Sequence, residues 1–244
     1  MQPVEYVIFD LDGLLIIYTD VTNQILSRYG KEMTMDIKAG LMGKPERAAA
    51  EHLLSYFPDI DLTVELYIQE RRKKQDALWP TVMPLPGVLK LLHHLHSHSI
   101  PMAIATGSQK RSVVLKTSHL PQMLSLFGGN IICADDVEHG KPCPDVFLAA
   151  ADLLERRVGE GDYTTVDEAT RLERLKGLVL EDAIPGVQAG IRAGMQVVWV
   201  PDVRLTALEE GQGLEVQQTL TSLEEFEPER WGLPPYPKTS VVQV

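Results

Sequence analysis

A doubly wound, parallel-sheet α/β core of Rossmann-like topology, interrupted by a helical module, is the fold class this sequence predicts. Three observations predict it. Apolar, strand-like runs at residues 4–9, 102–105, 130–134, 178–180 and 196–200 alternate with helical segments, and that alternation builds parallel sheets. The stretch between the first run and Pro84-Leu-Pro-Gly87 carries helical signals and few strand signals. Finally, residues able to do chemistry fall at or just past the ends of the strand-like runs, where an open parallel sheet places its crevice.

The first strand ends in Phe9-Asp10-Leu11-Asp12-Gly13. It delivers two carboxylates one residue apart, and Gly13 then lets the backbone turn sharply. Strand side chains alternate, so Asp10 and Asp12 share a site only if the chain bends directly after the strand. Residues 22–29, 45–56 and 62–78 read as helices, which makes 18–83 an inserted helical cap and assigns 1–17 and 84–244 to a discontinuous core. Val88, Leu91, Leu92 and Leu95 recur at helical spacing and make 88–97 an amphipathic helix. His93, His94, His96 and His98 lie opposite that stripe and read as a solvated face rather than a metal site.

Ile100-Pro-Met-Ala-Ile-Ala-Thr106-Gly107-Ser108 runs a strand into a hydroxyl and a glycine turn, a place where backbone N–H groups meet anions. His139-Gly-Lys141-Pro-Cys-Pro-Asp145 sets an ammonium in a stiff loop before a helix, and Gly177-Leu-Val-Leu-Glu181-Asp182 is another apolar strand ending in acids. The helix after Asp182 carries Gly186, Ala189, Gly190, Ala193 and Gly194 on a small-residue face, suited to close approach to a sheet at about 1 kcal/mol per interior glycine. Segment 155–176 is dense in charge and reads as a solvated excursion. The Pro-rich tail, 224–244, has Phe226, Trp231 and Tyr236 to pin it down.

Each group also has a bland reading. Asp10 and Asp12 are compatible with an acidic turn, Lys141 with a solvated loop lysine, and Thr106 with a helix cap. Cys143 reads as a spectator. Nearby carboxylates nevertheless make a site for a hard cation, and a carboxylate beside a metal can attack phosphorus.

Asp10-x-Asp12-Gly, Thr106-x-Ser108, Gly140-Lys141-Pro-x-Pro and Glu181-Asp182 together resemble the four motifs of haloacid dehalogenase-like phosphohydrolases, over about residues 4–201. Gly13-Leu-Leu, Leu41-Met-Gly-Lys44, Met83-Pro-Leu-Pro-Gly87 and Trp231-Gly-Leu-Pro-Pro-Tyr236 look most like the branch of small-helical-cap phosphatases that acts on pseudouridine 5'-phosphate. The resemblance implies a Mg²⁺-dependent phosphomonoesterase acting through an aspartyl-phosphate. It makes Asp10 the nucleophile and Asp12 the general acid and base, starting from a protonated carboxyl whose pKa is raised. It has Mg²⁺ held by the Asp10 carboxylate, the Asp12 backbone carbonyl and Asp182, and Glu181 orienting its neighbours. Thr106, Gly107, Ser108 and Lys141 then bind the phosphoryl oxygens, and Lys44 contacts the substrate from the cap.

One departure stands out. Relatives usually carry an Asp at the position of Ile17 and often a Glu at that of Thr19. The expected consequence is altered cap closure rather than lost chemistry, with Asp20 as a substitute in a shifted register.

Composition sets the outer limits. Of 244 residues 44% are hydrophobic and 23% charged, as in an ordinary globular protein. A net charge of −11 argues against a nucleic-acid backbone or an anionic membrane as principal partner. Two cysteines, Cys133 and Cys143, imply no disulfide framework. No apolar run reaches membrane-spanning length, and the first strand follows the N-terminus at once, so a cytoplasmic protein is expected, with the nucleus also open. A small phosphorylated metabolite is the expected partner, and a monomer the expected state. The rival readings are a dehalogenase, which needs neither Mg²⁺ nor an acid at 12, a phosphosugar mutase that differs in the cap, and a catalytically silent binding protein.

Overall fold

The computed structural model describes residues 2–17, 21–41, 44, 46–202 and 213–237. Its centre is a six-stranded sheet whose paired strands all run parallel. In chain order the strands of the chain are β1 (Tyr6–Phe9), β2 (Ile16–Ile17), β3 (Met83–Pro84), β4 (Met102–Ala105), β5 (Ile131–Ile132), β6 (Gly177–Glu181), β7 (Gln196–Trp199) and β8 (Gln218–Thr219). The sheet order is β5-β4-β1-β6-β7-β8, while β2 and β3 form a separate antiparallel pair. All four residues of β1 are buried, because helices cover both faces, and such strands read as unbroken apolar runs.

Period-two alternation divides the core in two. Val7, Phe9, Ile104, Leu178, Leu180 and Val198 face one apolar cluster. It is completed by α5 (Val88–Ser97), α6 (Lys110–Thr117) and α7 (Pro121–Ser125). Tyr6, Ile8, Ala103, Val179 and Val197 face the other cluster, against α8 (Asp145–Leu153) and α10 (Ile184–Arg192). Phe226 and Trp231 stack in parallel and are buried in the first cluster, so the tail is fixed to the core as far as residue 237.

Between β2 and β3 the chain forms α1 (Val21–Leu26), α2 (Met35–Leu41), α3 (Glu46–Ser55) and α4 (Val64–Leu78). These helices bury Val21, Ile25, Leu26, Met33, Ile37, Ala50, Leu53 and Tyr67 in a third cluster of their own. The sequence pattern shows three of the four; α2 is short and holds Gly40, which hides its period. Thr63 caps α4 by accepting the Leu66 N–H. Pairing of Ile16 with Pro84 and Ile17 with Met83 closes the base of this helical segment. The Ile17 side chain, Thr19 and Asp20 lie outside the described residues.

Two expectations are corrected. His94 is not solvated: it is 7% exposed, its Nε2 lies 2.8 Å from the Pro234 carbonyl, and its ring packs on Tyr236. The tail supplies a second apolar surface that the helix's own period cannot reveal. His93, His96 and His98 are exposed as expected. Segment 155–176 is likewise not merely a solvated excursion. Arg174 on α9 (Glu168–Arg174) is fully buried and donates to the carbonyls of Val158, Glu160 and Gly161, folding the segment back on itself.

Candidate active site

The carboxyl ends of β1, β4 and β6 converge on one buried charge cluster. Lys141 Nζ donates to Asp10 Oδ1 at 2.5 Å, to Glu181 Oε1 at 2.7 Å and to the Ala105 carbonyl at 3.0 Å, and it lies 4.8 Å from the centre of the Phe147 ring. Asp10 and Glu181 are 5% and 1% exposed. The other oxygen of Glu181 accepts the Ala183 N–H at 2.7 Å, so this carboxylate is held at both ends. Its closeness to α10 depends on Gly186, where a Cβ would fall 1.6 Å from Glu181 Oε1.

Directly after β1 the chain reverses. Gly13 takes φ +97 and donates to the Ile16 carbonyl, a conformation that favours glycine. A Cβ at Gly13 would also stand 2.1 Å from Asp182 Oδ2. The bend expected from the sequence is thus present, and it brings Asp12 toward the second strand-end motif. Ser108 Oγ donates to Asp12 Oδ2 at 2.6 Å, with Thr106 Oγ1 at 3.5 Å. Thr106 is fully buried and accepts the Ser108 N–H. It therefore tightens its own turn and does not cap α6, whose capping position is Gln109. Gly107 is exposed with open space beside it.

A residue the sequence reading passed over completes this part. Lys116 on α6 is 3% exposed and donates to Asp12 Oδ1 at 2.6 Å and to Ser108 Oγ at 2.8 Å. Its ammonium lies 4.9 Å from the centre of the Trp79 ring, just past the end of α4. The available signal was that Lys116 shares a helical face with Val113 and Thr117, both buried.

Oxygens of Asp10, Glu181 and Asp182 lie within 4.8 Å of one another. Asp182 Oδ1 is buried with no hydrogen-bond partner, a costly arrangement unless a further group binds it. Burial, with Glu181 and Asp12 nearby, pushes Asp10 up to about 7 against the pull of Lys141. Burial and the charges of Glu181 and Asp10 also raise Asp182 well above the carboxylate range. Burial alone would lower Lys141, but Asp10 and Glu181 hold it above the ordinary lysine value. Three acids thus face one ammonium. Such an all-oxygen set fits a hard divalent cation such as Mg²⁺, which would supply the missing charge.

Beside the acids opens a cavity of about 1340 Å³, bounded by Asp12, Gly13 and Asp182 on one side and by residues of α1 to α4 on the other. Lys44 is exposed on its wall. Cys133 is buried, Cys143 is partly covered, and both are free thiols. Among the described residues no helix is long and apolar enough to cross a membrane.

A parallel sheet whose carboxyl edge gathers acids around one lysine defines a Rossmann-like α/β protein with a charged crevice, and comparison with known proteins says which kind it is. Residues 7–200 match the family described as Haloacid dehalogenase-like hydrolase. The chain belongs to that family. It is 39% identical over 240 residues to (DL)-glycerol-3-phosphatase 2 of Arabidopsis thaliana, covering 96% of this chain and 93% of that protein. It is 34% identical over 242 residues to a probable pseudouridine-5'-phosphatase of Drosophila melanogaster, with 97% of each covered. A HAD family hydrolase from Deinococcus radiodurans R1, solved with phosphate and sodium bound, superposes with a TM-score of 0.73 at 23% identity. That match covers 96% of this chain and 100% of the other, and at such identity it speaks for the fold. By family and relatives the protein is an enzyme, a phosphoric monoester hydrolase.

Proposed function

We propose that the enzyme is a Mg²⁺-dependent phosphomonoesterase for a small phosphorylated metabolite, working through an aspartyl-phosphate on Asp10. The observation that carries this reading is the excess of buried acid around Lys141, with one Asp182 oxygen left without a partner. Asp10, Asp182 and the Asp12 backbone carbonyl hold the cation, while Glu181, bound to Lys141 and the Ala183 N–H, orients the cluster. Mg²⁺, when bound, neutralises phosphoryl charge and lets the Asp10 carboxylate stay ionised.

The steps by this chain's own residues are these. An Asp10 oxygen attacks phosphorus, the phosphorus–oxygen ester bond breaks, and Asp12 gives its proton to the departing alkoxide. Water then attacks the aspartyl-phosphate, Asp12 takes the water's proton, and the Asp10–phosphorus bond breaks to release inorganic phosphate. Lys141, Thr106, Gly107 and Ser108 stabilise the equatorial oxygens, which is most of what phosphoryl transfer asks of a protein. Residues 18–83 act as the cap on a core of 1–17 and 84–244, and the cap shields the intermediate from stray water.

The names of the relatives point to glycerol phosphate and pseudouridine 5'-phosphate as first substrates to try. The test is phosphate release over a panel of monophosphates, with and without Mg²⁺. Release that requires Mg²⁺ is expected. Conversion of a sugar 1-phosphate to its 6-phosphate without release would instead make the enzyme a mutase.

A further inference from the structure

The turn that carries Asp182 is tied down from the end of β7. Val200, directly after β7, donates its N–H to the Glu181 carbonyl at 2.7 Å. Trp199, the last residue of β7, donates its indole Nε1–H to the Asp182 carbonyl at 2.9 Å. The other edge of that same peptide, the Ala183 N–H, goes to Glu181 Oε2 at 2.7 Å. Peptide units are planar, so holding the two that flank Asp182 fixes its φ and ψ and the direction of its Cα–Cβ bond. The carboxylate is thereby set beside Gly13, where a Cβ would stand 2.1 Å from Asp182 Oδ2. Asp182 Oδ1 is left buried and without a partner among the described residues. The Val200 tie is a backbone bond and does not depend on the side chain there. The Trp199 tie does: phenylalanine, leucine or methionine in this 8% exposed place would have no donor to offer.

We infer that Trp199 is a positioning residue for the cation site, aiming the Asp182 carboxylate through its backbone. The indole serves two separable ends. Its carbon surface belongs to the second apolar cluster, with Val187 and Val197, and its N–H holds the Asp182–Ala183 peptide. Without that N–H the peptide is held at one edge only. The Asp182 carboxylate then gains freedom that cation binding has to remove, and affinity falls. The inference rests on the Mg²⁺ reading above and names a residue outside the acids that sets affinity for the cation.

The experiment measures Mg²⁺ binding by calorimetry, and Tm alongside it, in the wild type, Trp199→Phe and Trp199→His. Phenylalanine keeps an aromatic ring in the cluster and removes the donor. Histidine loses the larger ring but carries an N–H at the corresponding place on its five-membered ring. Trp199→Phe should bind Mg²⁺ about tenfold more weakly, the usual effect of removing a group that orients a metal ligand. Trp199→His should bind within about threefold of the wild type although its Tm is lower. Affinity that follows the donor rather than the Tm is what a packing role alone would not give. Unchanged affinity in Trp199→Phe, or an equal loss in both variants, overturns the inference while the Mg²⁺ reading stands. If Trp199→Phe does not fold, Trp199→His decides: retained affinity supports the inference and weakened affinity overturns it. Failure of both to fold shows that Trp199 serves the core, which also overturns it. A wild-type chain that binds no Mg²⁺ overturns the Mg²⁺ reading and the inference together.

Discussion

Lys116 Nζ stands 2.6 Å from the Asp12 carboxylate and 4.9 Å from the centre of the Trp79 ring. The general acid and base proposed here is thus tied to a buried cation that also touches the segment returning from the helices at 21–78. Asp12 keeps one orientation because Lys116 and Ser108 hold its two oxygens separately.

Replacing Lys116 by Met retains the buried stem and removes the charge. We expect kcat to fall by about ten- to a hundredfold with KM changed less than about threefold, because a mispositioned proton donor acts on the chemical step. Steady-state kinetics check this, and an unchanged kcat would show that Lys116 serves packing alone.

Asp10→Asn should abolish turnover and leave the fold intact. An amide is no nucleophile and brings no charge to a divalent cation. A folded variant keeping more than about a tenth of wild-type turnover, a loss below about 1.4 kcal/mol, would rule out the covalent mechanism. Circular dichroism and phosphate release on one sample decide the matter.

Asp12→Asn is expected to lose about 10²–10⁴ in turnover, the usual worth of a positioned proton donor. Mg²⁺ affinity should persist, since the contact assigned to residue 12 is a backbone carbonyl. Lost Mg²⁺ binding by calorimetry, with turnover regained at high Mg²⁺, would make the Asp12 side chain a ligand.

The interior strands were legible because a strand buried on both faces must be apolar throughout, and 102–105 matches β4 residue for residue. The strand β8 had no such signal. Gln218 and Thr219 join the sheet because Gln217 bonds Val197 through both its N–H and its side-chain oxygen, a pairing set by β7. In the site, acids at strand ends announce themselves, since ionisable residues are rare beside apolar runs. A lysine within a helix does not: Lys116 looks solvated until Asp12, 104 residues earlier, is placed beside it.

Proton and metal should compete at the acid cluster. Asp10 titrates at about 7 in the folded chain against an ordinary 3.8, so between those values the folded state keeps a proton the unfolded chain has lost. Its contribution to stability is greatest below 3.8, falls as pH rises toward 7, and is flat above. Asp182 is shifted in the same direction. A cation binds the ionised carboxylates, so Mg²⁺ should raise Tm more at about pH 8 than at about pH 6. Thermal melts with Mg²⁺ or with a chelator test this. An equal rise at both pH values would place the bound cation away from Asp10 and Asp182.

Gly186→Ala probes whether Glu181 acts through Lys141. The new Cβ would lie 1.6 Å from Glu181 Oε1, so the carboxylate must move or α10 must shift away from the sheet. Movement of the carboxylate breaks the Glu181 bonds to Lys141 and to the Ala183 N–H, and a shift of α10 breaks the second of these. Losing hydrogen bonds to a buried charge costs about 1–3 kcal/mol each, so Tm should fall by several degrees and activity with it. Pairing the change with Glu181→Ala separates the causes. The double variant is free of the clash, so it should be more stable than Gly186→Ala alone. Its turnover should stay low, because Lys141 then has only Asp10 and the Ala105 carbonyl to hold it. Recovery of turnover along with stability would show that Glu181 contributes nothing to placing Lys141.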